Sequence, residues 1–233
     1  MRKEYAEYLL KKTQEDYNFL YLDYTRTRAF VPEDIKNLAK YALPGERVLD
    51  SGCGNGRFLE VLREVDYYGI DFSKNLIELA KEKYPQGKFF LRDALTLPFP
   101  DNFFDKVFSI SVLHHIPSKE FRLKYLKEIF RVLKPGGKLI LRVWDLLKRK
   151  GGKKLFLKYA FLKIIGKTKL DFFDVFVPWK DSKGRVLVQR YFHCFRKKEL
   201  INLAKRAGFK VIKIWRAGEG ARKNIYLILE KPP

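Results

Sequence analysis

The stretch VLDSGCGNGRF, residues 48–58, decides the fold class of this chain. An apolar run ends in Asp50 and is followed at once by Gly52, Gly54 and Gly56. A strand that runs into a glycine-rich turn is typical of the ligand-binding edge of an α/β sheet. Glycine allows the backbone to approach a ligand closely, so the turn predicts a binding site.

The turn matches neither of two common phosphate-binding motifs. The dinucleotide motif G-x-G-x-x-G requires a glycine where this chain has Arg57. A P-loop requires Gly-Lys followed by Ser or Thr, and no such triplet follows the turn. Asp50 would repel a pyrophosphate and attract a positively charged group. The motif therefore favours a ligand that carries an ammonium group.

Two further strand ends carry acids. The predicted strand at 67–71 ends in Asp71, which is placed to accept hydrogen bonds from both hydroxyls of a ribose. The strand at 88–91 leads to Asp93 and Ala94, whose carboxylate and backbone N–H could bind an adenine ring. Taken alone, each acid could equally be a solvated strand end or a helix N-cap. Together they outline a nucleoside with a cationic tail.

Strands and helices alternate along most of the chain, which predicts βαβ units and a parallel sheet. The pattern predicts strands at 47–50, 67–71, 88–91, 106–111, 138–144, 210–215 and 224–230, and helices at 3–16, 32–41, 56–64, 74–84, 119–131 and 197–206. A turn is expected at LKPGG, residues 133–137, and the last two strands are close enough to pair antiparallel.

Length and composition favour one domain. The chain has 233 residues, of which 1–45 are expected to form an N-terminal helical cap and 145–195 an inserted segment. Cys53 and Cys194 are the only cysteines, so neither a disulfide framework nor a zinc site is expected. The charged start lacks the apolar core of a signal peptide, and a cytoplasmic location is expected.

Basic residues greatly outnumber acidic residues in this chain. Lys and Arg total 49 against 27 Asp and Glu, a net charge of +22 that favours a polyanionic partner. The charged surface of a thermophile is the alternative explanation. Residues 146–170 hold nine basic side chains and no acid. This segment could lie along a phosphate backbone or an anionic membrane, or form a solvated basic face.

Five motifs together resemble the class I S-adenosylmethionine-dependent methyltransferases: VLDSGCGNGRF, GIDFS, RDALTLPF, FDKVFSISVLHHI and RVLKPGGKLIL, within residues 46–144. The resemblance implies a seven-stranded, mostly parallel, doubly wound α/β sheet with an antiparallel last strand. It also implies S-adenosylmethionine as the cofactor. The cofactor-binding residues expected from it are Asp50, Gly52, Cys53, Gly54, Gly56, Asp71, Phe72, Asp93, Ala94 and Ser109.

Three segments contain candidates for substrate binding. His114 and His115 follow the fourth strand, where they could orient an acceptor or take its proton. Arg26 and Arg28 are expected in a loop after the first helix, where they suit a carboxylate or a phosphate. In 188–195 basic and aromatic side chains alternate, which suits a stacked base plus an anion. Ordinary loop residues and a half-buried strand are the alternatives.

Three stretches resemble the tRNA wobble-uridine carboxymethyl methyltransferases: 17–32, which includes Thr27–Arg28; 112–144, which includes Trp144; and 189–200, QRYFHCFRKKEL. The resemblance implies methyl esterification of 5-carboxymethyluridine at the tRNA wobble position. It also implies a small zinc-binding activator protein as a possible partner. Residues 145–187 match no segment of that family.

A carboxylate is already ionised at neutral pH, so catalysis would rest on positioning. The expected catalytic residues are Arg28 and His193, holding the carboxylate or a neighbouring phosphate, and His114, orienting the uridine. The expected substrate-binding residues are Arg26, Arg28, His115, Trp144, Arg190, Tyr191 and His193. Two alternatives stay open: a quinone or lipid methyltransferase at a membrane surface, and a cofactor-binding or RNA-binding subunit without activity.

Overall fold

The computed structural model describes residues 1–220 and 223–233. The helices are α1 (Lys3–Thr27), α2 (Glu33–Lys36), α3 (Lys74–Lys83), α4 (Lys119–Val132), α5 (Gly152–Ile164) and α6 (Lys197–Arg206). The strands are β1 (Arg47–Ser51), β2 (Asp66–Asp71), β3 (Lys88–Leu91), β4 (Phe104–Ile110), β5 (Leu133–Trp144), β6 (Asp174–Lys180), β7 (Val186–His193), β8 (Lys210–Ala217) and β9 (Asn224–Glu230). Short 3₁₀ turns cover Ala39–Tyr41, Arg57–Val61, Leu113–His115 and Leu146–Lys148.

Seven strands form one sheet in the order β3-β2-β1-β4-β5-β9-β8. Strands β1 to β5 pair parallel, and β9 runs antiparallel between β5 and β8. The mostly parallel sheet with an antiparallel last strand is therefore confirmed. The chain leaves β1 toward β2 on one side and reaches β4 on the other. Such a switch point opens a crevice at the carboxyl ends of the strands.

Alternation along the central strands builds an apolar layer on each face of the sheet. Leu49 and Val107 belong to the larger core cluster, which also contains side chains of α4 and α6. Val48 and Phe108, their neighbours in sequence, belong to a second cluster with Ile35 of α2. Successive side chains of a strand point to opposite faces, so both faces are covered and the strands are buried.

Helix α1 is longer than predicted. It runs from Lys3 to Thr27 rather than stopping at residue 16, because its buried positions continue at helical spacing as far as Leu20. Arg26 therefore lies in the last helical turn, where the expectation of a loop is wrong, whereas Arg28 is the C-cap residue that follows the helix.

Three other predicted boundaries are also wrong. Residues 32–41 form only the short helix α2 and a 3₁₀ turn. Where a helix was predicted at 56–64, the structure has only a 3₁₀ turn, Arg57–Val61. LKPGG is part of β5, where Leu133 pairs with Phe104 before a shift in register.

The segment 145–195 contributes α5 and a two-stranded antiparallel hairpin, β6–β7. Phe192 of the hairpin packs on His114, with ring centroids 4.8 Å apart. The hairpin therefore contacts the carboxyl-terminal side of the sheet. No helix within residues 1–220 or 223–233 is both long and apolar enough to span a membrane.

An ion pair between buried Arg142 and half-buried Asp34 links the sheet to α2. Arg142 of β5 donates from Nε and Nη2 to Asp34 Oδ2, at 3.1 and 2.9 Å. The Tyr226 hydroxyl donates to the same oxygen at 2.6 Å. Because Arg142 is only 8% exposed, it depends on this carboxylate as a partner.

Asp34→Ala should therefore lower the free energy of unfolding by about 2 kcal/mol, because it removes hydrogen bonds to a buried charge. Urea denaturation followed by circular dichroism measures this change. Glu33→Ala is the matched control, since Glu33 is the exposed neighbour in the same helix and should change stability by less than about 0.5 kcal/mol. Equal stability of the two variants would contradict the assignment.

Candidate active site

The glycine turn after β1 adopts a conformation that other residues rarely take. Gly52 and Gly54 have φ of +83° and +57°. A Cβ on Gly54 would lie 2.7 Å from the Tyr24 hydroxyl, and one on Gly52 would collide with Val112. The absence of side chains thus lets α1 and the β4 loop close over the turn while its backbone faces a cleft.

The cleft follows the carboxyl ends of β1, β2, β4 and β5. Its main part has a volume of about 650 Å³, and a smaller arm has a volume of about 410 Å³. The two parts share five lining residues: Phe72, Arg92, Ala94, Val112 and His115. The space is large enough for a nucleoside together with an acceptor group.

Asp71 lies at the floor of the cleft. Its Oδ2 accepts from the Gly54 backbone N–H and its Oδ1 from the Ser73 N–H, both at 2.9 Å. Burial raises its pKa to about 6. Asp50 lies beneath the glycine turn, where it accepts a hydrogen bond from the Tyr67 hydroxyl at 3.0 Å. Burial raises the pKa of Asp50 to about 7.

The expected cofactor residues divide into two groups. Those that line the cleft are Gly52, Gly54, Asp71, Phe72, Asp93 and Ala94. Those that lie behind it are Asp50, Cys53, Gly56 and Ser109. Ser109 is corrected most clearly, because its hydroxyl is fully buried and hydrogen-bonded to Tyr125 at 2.7 Å. It supports the β4 core and does not reach a ligand in the cleft.

His115 is held as a neutral ring. Its Nδ1 lies 3.0 Å from the Tyr191 carbonyl, which can only accept, so Nδ1 carries the proton. Its Nε2 then accepts from the Tyr17 hydroxyl at 2.9 Å. Burial, reinforced by the charge of Arg190, lowers the pKa of His115 to about 3.

His114 also lines the cleft as a neutral ring. Burial and the neighbouring His115 hold its pKa well below the usual range. Its Nδ1 accepts from the Trp144 backbone N–H at 3.4 Å, which leaves the proton on Nε2. Within the described residues Nε2 has no hydrogen-bond partner. His114 is therefore able to donate one hydrogen bond to a ligand but is a weak base.

Arginines dominate the charge of the cleft. Those that line it are Arg26, Arg28, Arg57, Arg92, Arg142, Arg149 and Arg190. Four of them were not predicted from the sequence: Arg57, Arg92, Arg142 and Arg149. The sequence could have indicated Arg142, because it is a charged residue inside the apolar strand LILRVW. Arg149 packs 3.8 Å from the centroid of the Trp144 ring, and burial lowers its pKa to about 9.

Arg190 is the least compensated of these cations. It is 4% exposed, and neither Nε nor Nη1 has a hydrogen-bond partner among the residues that the structure describes. Aromatic rings surround it, the closest being Trp179 at 4.6 Å from the guanidinium carbon. Asp16, an acid nearby, already pairs with Lys12 at 2.6 Å. Arg190 thus belongs to the lining of the cleft and carries a charge that the described residues leave without a hydrogen-bonded partner at Nε and Nη1.

Arg28 and Arg26 lie at the outer end of the same wall. The Arg28 guanidinium carbon lies 4.4 Å from the centroid of the Tyr24 ring and 4.6 Å from that of Trp179. Arg26 is exposed and pairs with Asp23 at 2.6 Å. Asp23 also accepts from the Trp179 indole, at 2.5 Å, which fixes the ring against which Arg28 and Arg190 pack.

Two expected substrate residues point elsewhere. His193 is buried, with Nδ1 2.7 Å from Asp174 and Nε2 2.8 Å from Glu199. Both ring nitrogens are occupied outside the cleft, so the expectation that His193 holds the substrate is corrected: it fastens the hairpin to α6. Tyr191 is 1% exposed, and its carbonyl orients His115. Trp144 does line the cleft.

A known family and known structures are similar to this chain. The methyltransferase domain family matches residues 49–141. A Methanosarcina mazei S-adenosylmethionine-dependent methyltransferase superposes with a TM-score of 0.71 at 24% identity, covering 87% of this chain and 98% of that one. A Haloferax volcanii methyltransferase, solved in complex with the Trm112 methyltransferase activator, gives a TM-score of 0.64 at 16% identity, with coverages of 95% and 98%.

Binding of S-adenosylmethionine should strengthen as the pH rises and then level off above about pH 8. A cationic ligand favours ionised carboxylates, and the raised pKa values of Asp71 (about 6) and Asp50 (about 7) put that ionisation near neutrality. Calorimetric titration from about pH 5 upward measures the profile. Asp71→Asn should flatten it in part, and Asp101→Asn, at an exposed site, should not. A flat profile for the unaltered protein would contradict the assignment.

The chain spans only 16–22% of the length of several vertebrate tRNA methyltransferases that it matches over about 101 residues. A relative of similar length is the tRNA (carboxymethyluridine(34)-5-O)-methyltransferase of Schizosaccharomyces pombe. It is 31% identical over 182 residues, which cover 70% of this chain and 73% of that protein. The chain therefore belongs to the class I S-adenosylmethionine-dependent methyltransferases, in the family of the tRNA carboxymethyluridine methyltransferases.

Proposed function

We propose that this enzyme esterifies the carboxylate of 5-carboxymethyluridine at the wobble position of tRNA. The observation that carries the proposal is Arg190, a buried residue of the cleft lining whose Nε and Nη1 have no hydrogen-bond partner within residues 1–220 and 223–233. A buried cation without a partner is costly, and a carboxylate is the planar anion that its N–H fork fits best.

The cofactor fits the glycine side of the cleft. Gly52 and Gly54 line the cleft there and have no side chains that would take up space in it. Asp71 and Asp93 would accept hydrogen bonds from the ribose and the adenine, and the buried Asp50 adds negative charge behind the turn. When bound there, S-adenosylmethionine supplies an electrophilic methyl group next to a sulfonium.

The acceptor fits the opposite wall. Arg190 would bind one carboxylate oxygen through a guanidinium N–H, and His114 would donate from Nε2 to the uracil or its side chain. Arg28 packs on the same Trp179 ring as Arg190 and would bind the neighbouring phosphate. The second carboxylate oxygen must stay free of tight pairing, because a fully paired oxygen is a poor nucleophile.

The two neutral histidines favour an acceptor that is already ionised. The low pKa values of His114 and His115 make both rings weak bases at neutral pH. A phenol or quinol would need a base to remove its proton, whereas a carboxylate would not. Positioning alone could lower the barrier by roughly 7–11 kcal/mol.

The partner chemistry follows from the charge and from one structural neighbour. A net charge of +22, with exposed Arg26 and Arg92 at the cleft, suits a polyanionic RNA. The Haloferax volcanii neighbour was solved with a methyltransferase activator. We extend the proposal to a similar activator for this chain, so the activity assay is run with and without such a subunit.

The direct test is transfer of labelled methyl from S-adenosylmethionine into bulk tRNA and, separately, into a membrane-lipid extract. We expect label on a uridine side chain that mild alkali releases, as it should from an ester. Label confined to the lipid fraction would overturn the proposal. It would favour a lipid methyltransferase, for which the exposed Leu157 and Phe161 of the basic helix α5 would be the membrane contact.

Arg28→Ala should lower kcat/KM for tRNA at least about tenfold, because it removes a charged contact to the substrate. The affinity for S-adenosylmethionine should not change. Steady-state assays at limiting tRNA measure this effect. Arg26→Ala is the matched control: Arg26 is exposed and already paired with Asp23, so a smaller loss is expected. Full activity of Arg28→Ala would contradict the proposal that Arg28 contacts the substrate.

A further inference from the structure

The side chain of Phe30 stands exposed at the mouth of the cleft. It is 84% exposed, the highest value among the large apolar side chains of the described residues, and it belongs to the cleft lining. Single exposed apolar residues are common on protein surfaces. This one differs because it borders a binding cleft and because its backbone is held on both sides.

Arg57 and the start of α2 fix the backbone on either side of Phe30. Arg57 Nη1 donates to the Phe30 carbonyl at 2.6 Å and to the Arg28 carbonyl at 3.2 Å. The next residue, Val31, is 5% exposed and packs with Ile35. Pro32 then takes the N-cap position of α2. The chain on either side is fixed, so the ring is presented outward from a defined position.

The cleft that Phe30 borders is basic. Arg26 and Arg92 are both exposed and both line it. An exposed aromatic ring in a groove lined by guanidinium groups is a combination that proteins use for single-stranded nucleic acid: the ring stacks on a base while the cations bind the backbone phosphates.

We propose that Phe30 stacks on a nucleobase that flanks the methylated uridine, and so helps the enzyme to recognise a single-stranded RNA loop. The inference rests on the proposed function and adds a second base to it. The target uridine would enter the buried part of the cleft, beside His114, Trp144 and Arg190. Phe30 lies at the rim, where an adjacent base of the same strand would pass.

The kinetic test compares two substrates. Phe30→Ala should raise KM for an anticodon stem-loop about tenfold, the range expected for loss of one stacked base, with kcat unchanged. Phe30→Trp should keep the KM of the unaltered enzyme. On the free nucleoside 5-carboxymethyluridine, which has no flanking base, Phe30→Ala and the unaltered enzyme should be equal. Phe19→Ala is the control, since Phe19 is 66% exposed on α1 and does not line the cleft.

A binding measurement detects stacking between Phe30 and the flanking base without turnover. The stem-loop carries 2-aminopurine beside the target uridine. Its fluorescence should be quenched when the unaltered enzyme binds, and quenched less when Phe30→Ala binds. Unchanged KM and quenching in Phe30→Ala would overturn the inference and leave the proposed function intact. An equal loss on the free nucleoside would also overturn it, because Phe30 would then contact the target uridine. An unaltered enzyme that neither binds nor methylates the stem-loop would defeat both proposals.

Discussion

The hydrogen bonds that Asp71 accepts from the glycine turn and from the start of α3 hold the binding edge together. They fix the Gly54 N–H to the end of β2 and the Ser73 N–H to the same carboxylate. The Ser73 hydroxyl caps α3 and also donates to Asn18 of α1 at 2.8 Å. Asp71 thus connects the glycine turn to the end of β2 and the start of α3, and Ser73 extends the connection to α1. The shape of the cleft depends on this connection.

Opposite charges divide the cleft into two halves. The buried carboxylates of Asp50 and Asp71 lie on the glycine side, and three of the cleft arginines, Arg142, Arg149 and Arg190, lie on β5, just after it and on the β6–β7 hairpin. A cationic cofactor and an anionic acceptor would each find a complementary wall. Burial strengthens both attractions, since fields are screened less there than in water. Burial raises the pKa of both carboxyls, although the protein as a whole is positively charged.

Local sequence patterns predicted the strands, the glycine turn and the acids that follow the strands, because each depends on neighbours in the chain. The role given to His193 failed because its partners, Asp174 and Glu199, come from β6 and α6, and no local pattern places them together. The length of α1 was underestimated, since aromatic residues obscure the buried stripe that continues to Leu20. Arg149 was assigned to a basic segment, although folding turns it inward onto Trp144.

The central claim is that Arg190 recognises the carboxylate of the acceptor, and calorimetry tests it most directly. With S-adenosylhomocysteine present to prevent turnover, the unaltered enzyme should bind a stem-loop bearing 5-carboxymethyluridine about tenfold more tightly than the same stem-loop with uridine. In Arg190→Met this preference should vanish, while the folded state persists because no hydrogen bond to Nε or Nη1 is lost among the described residues. A preference that survives in Arg190→Met would contradict the account.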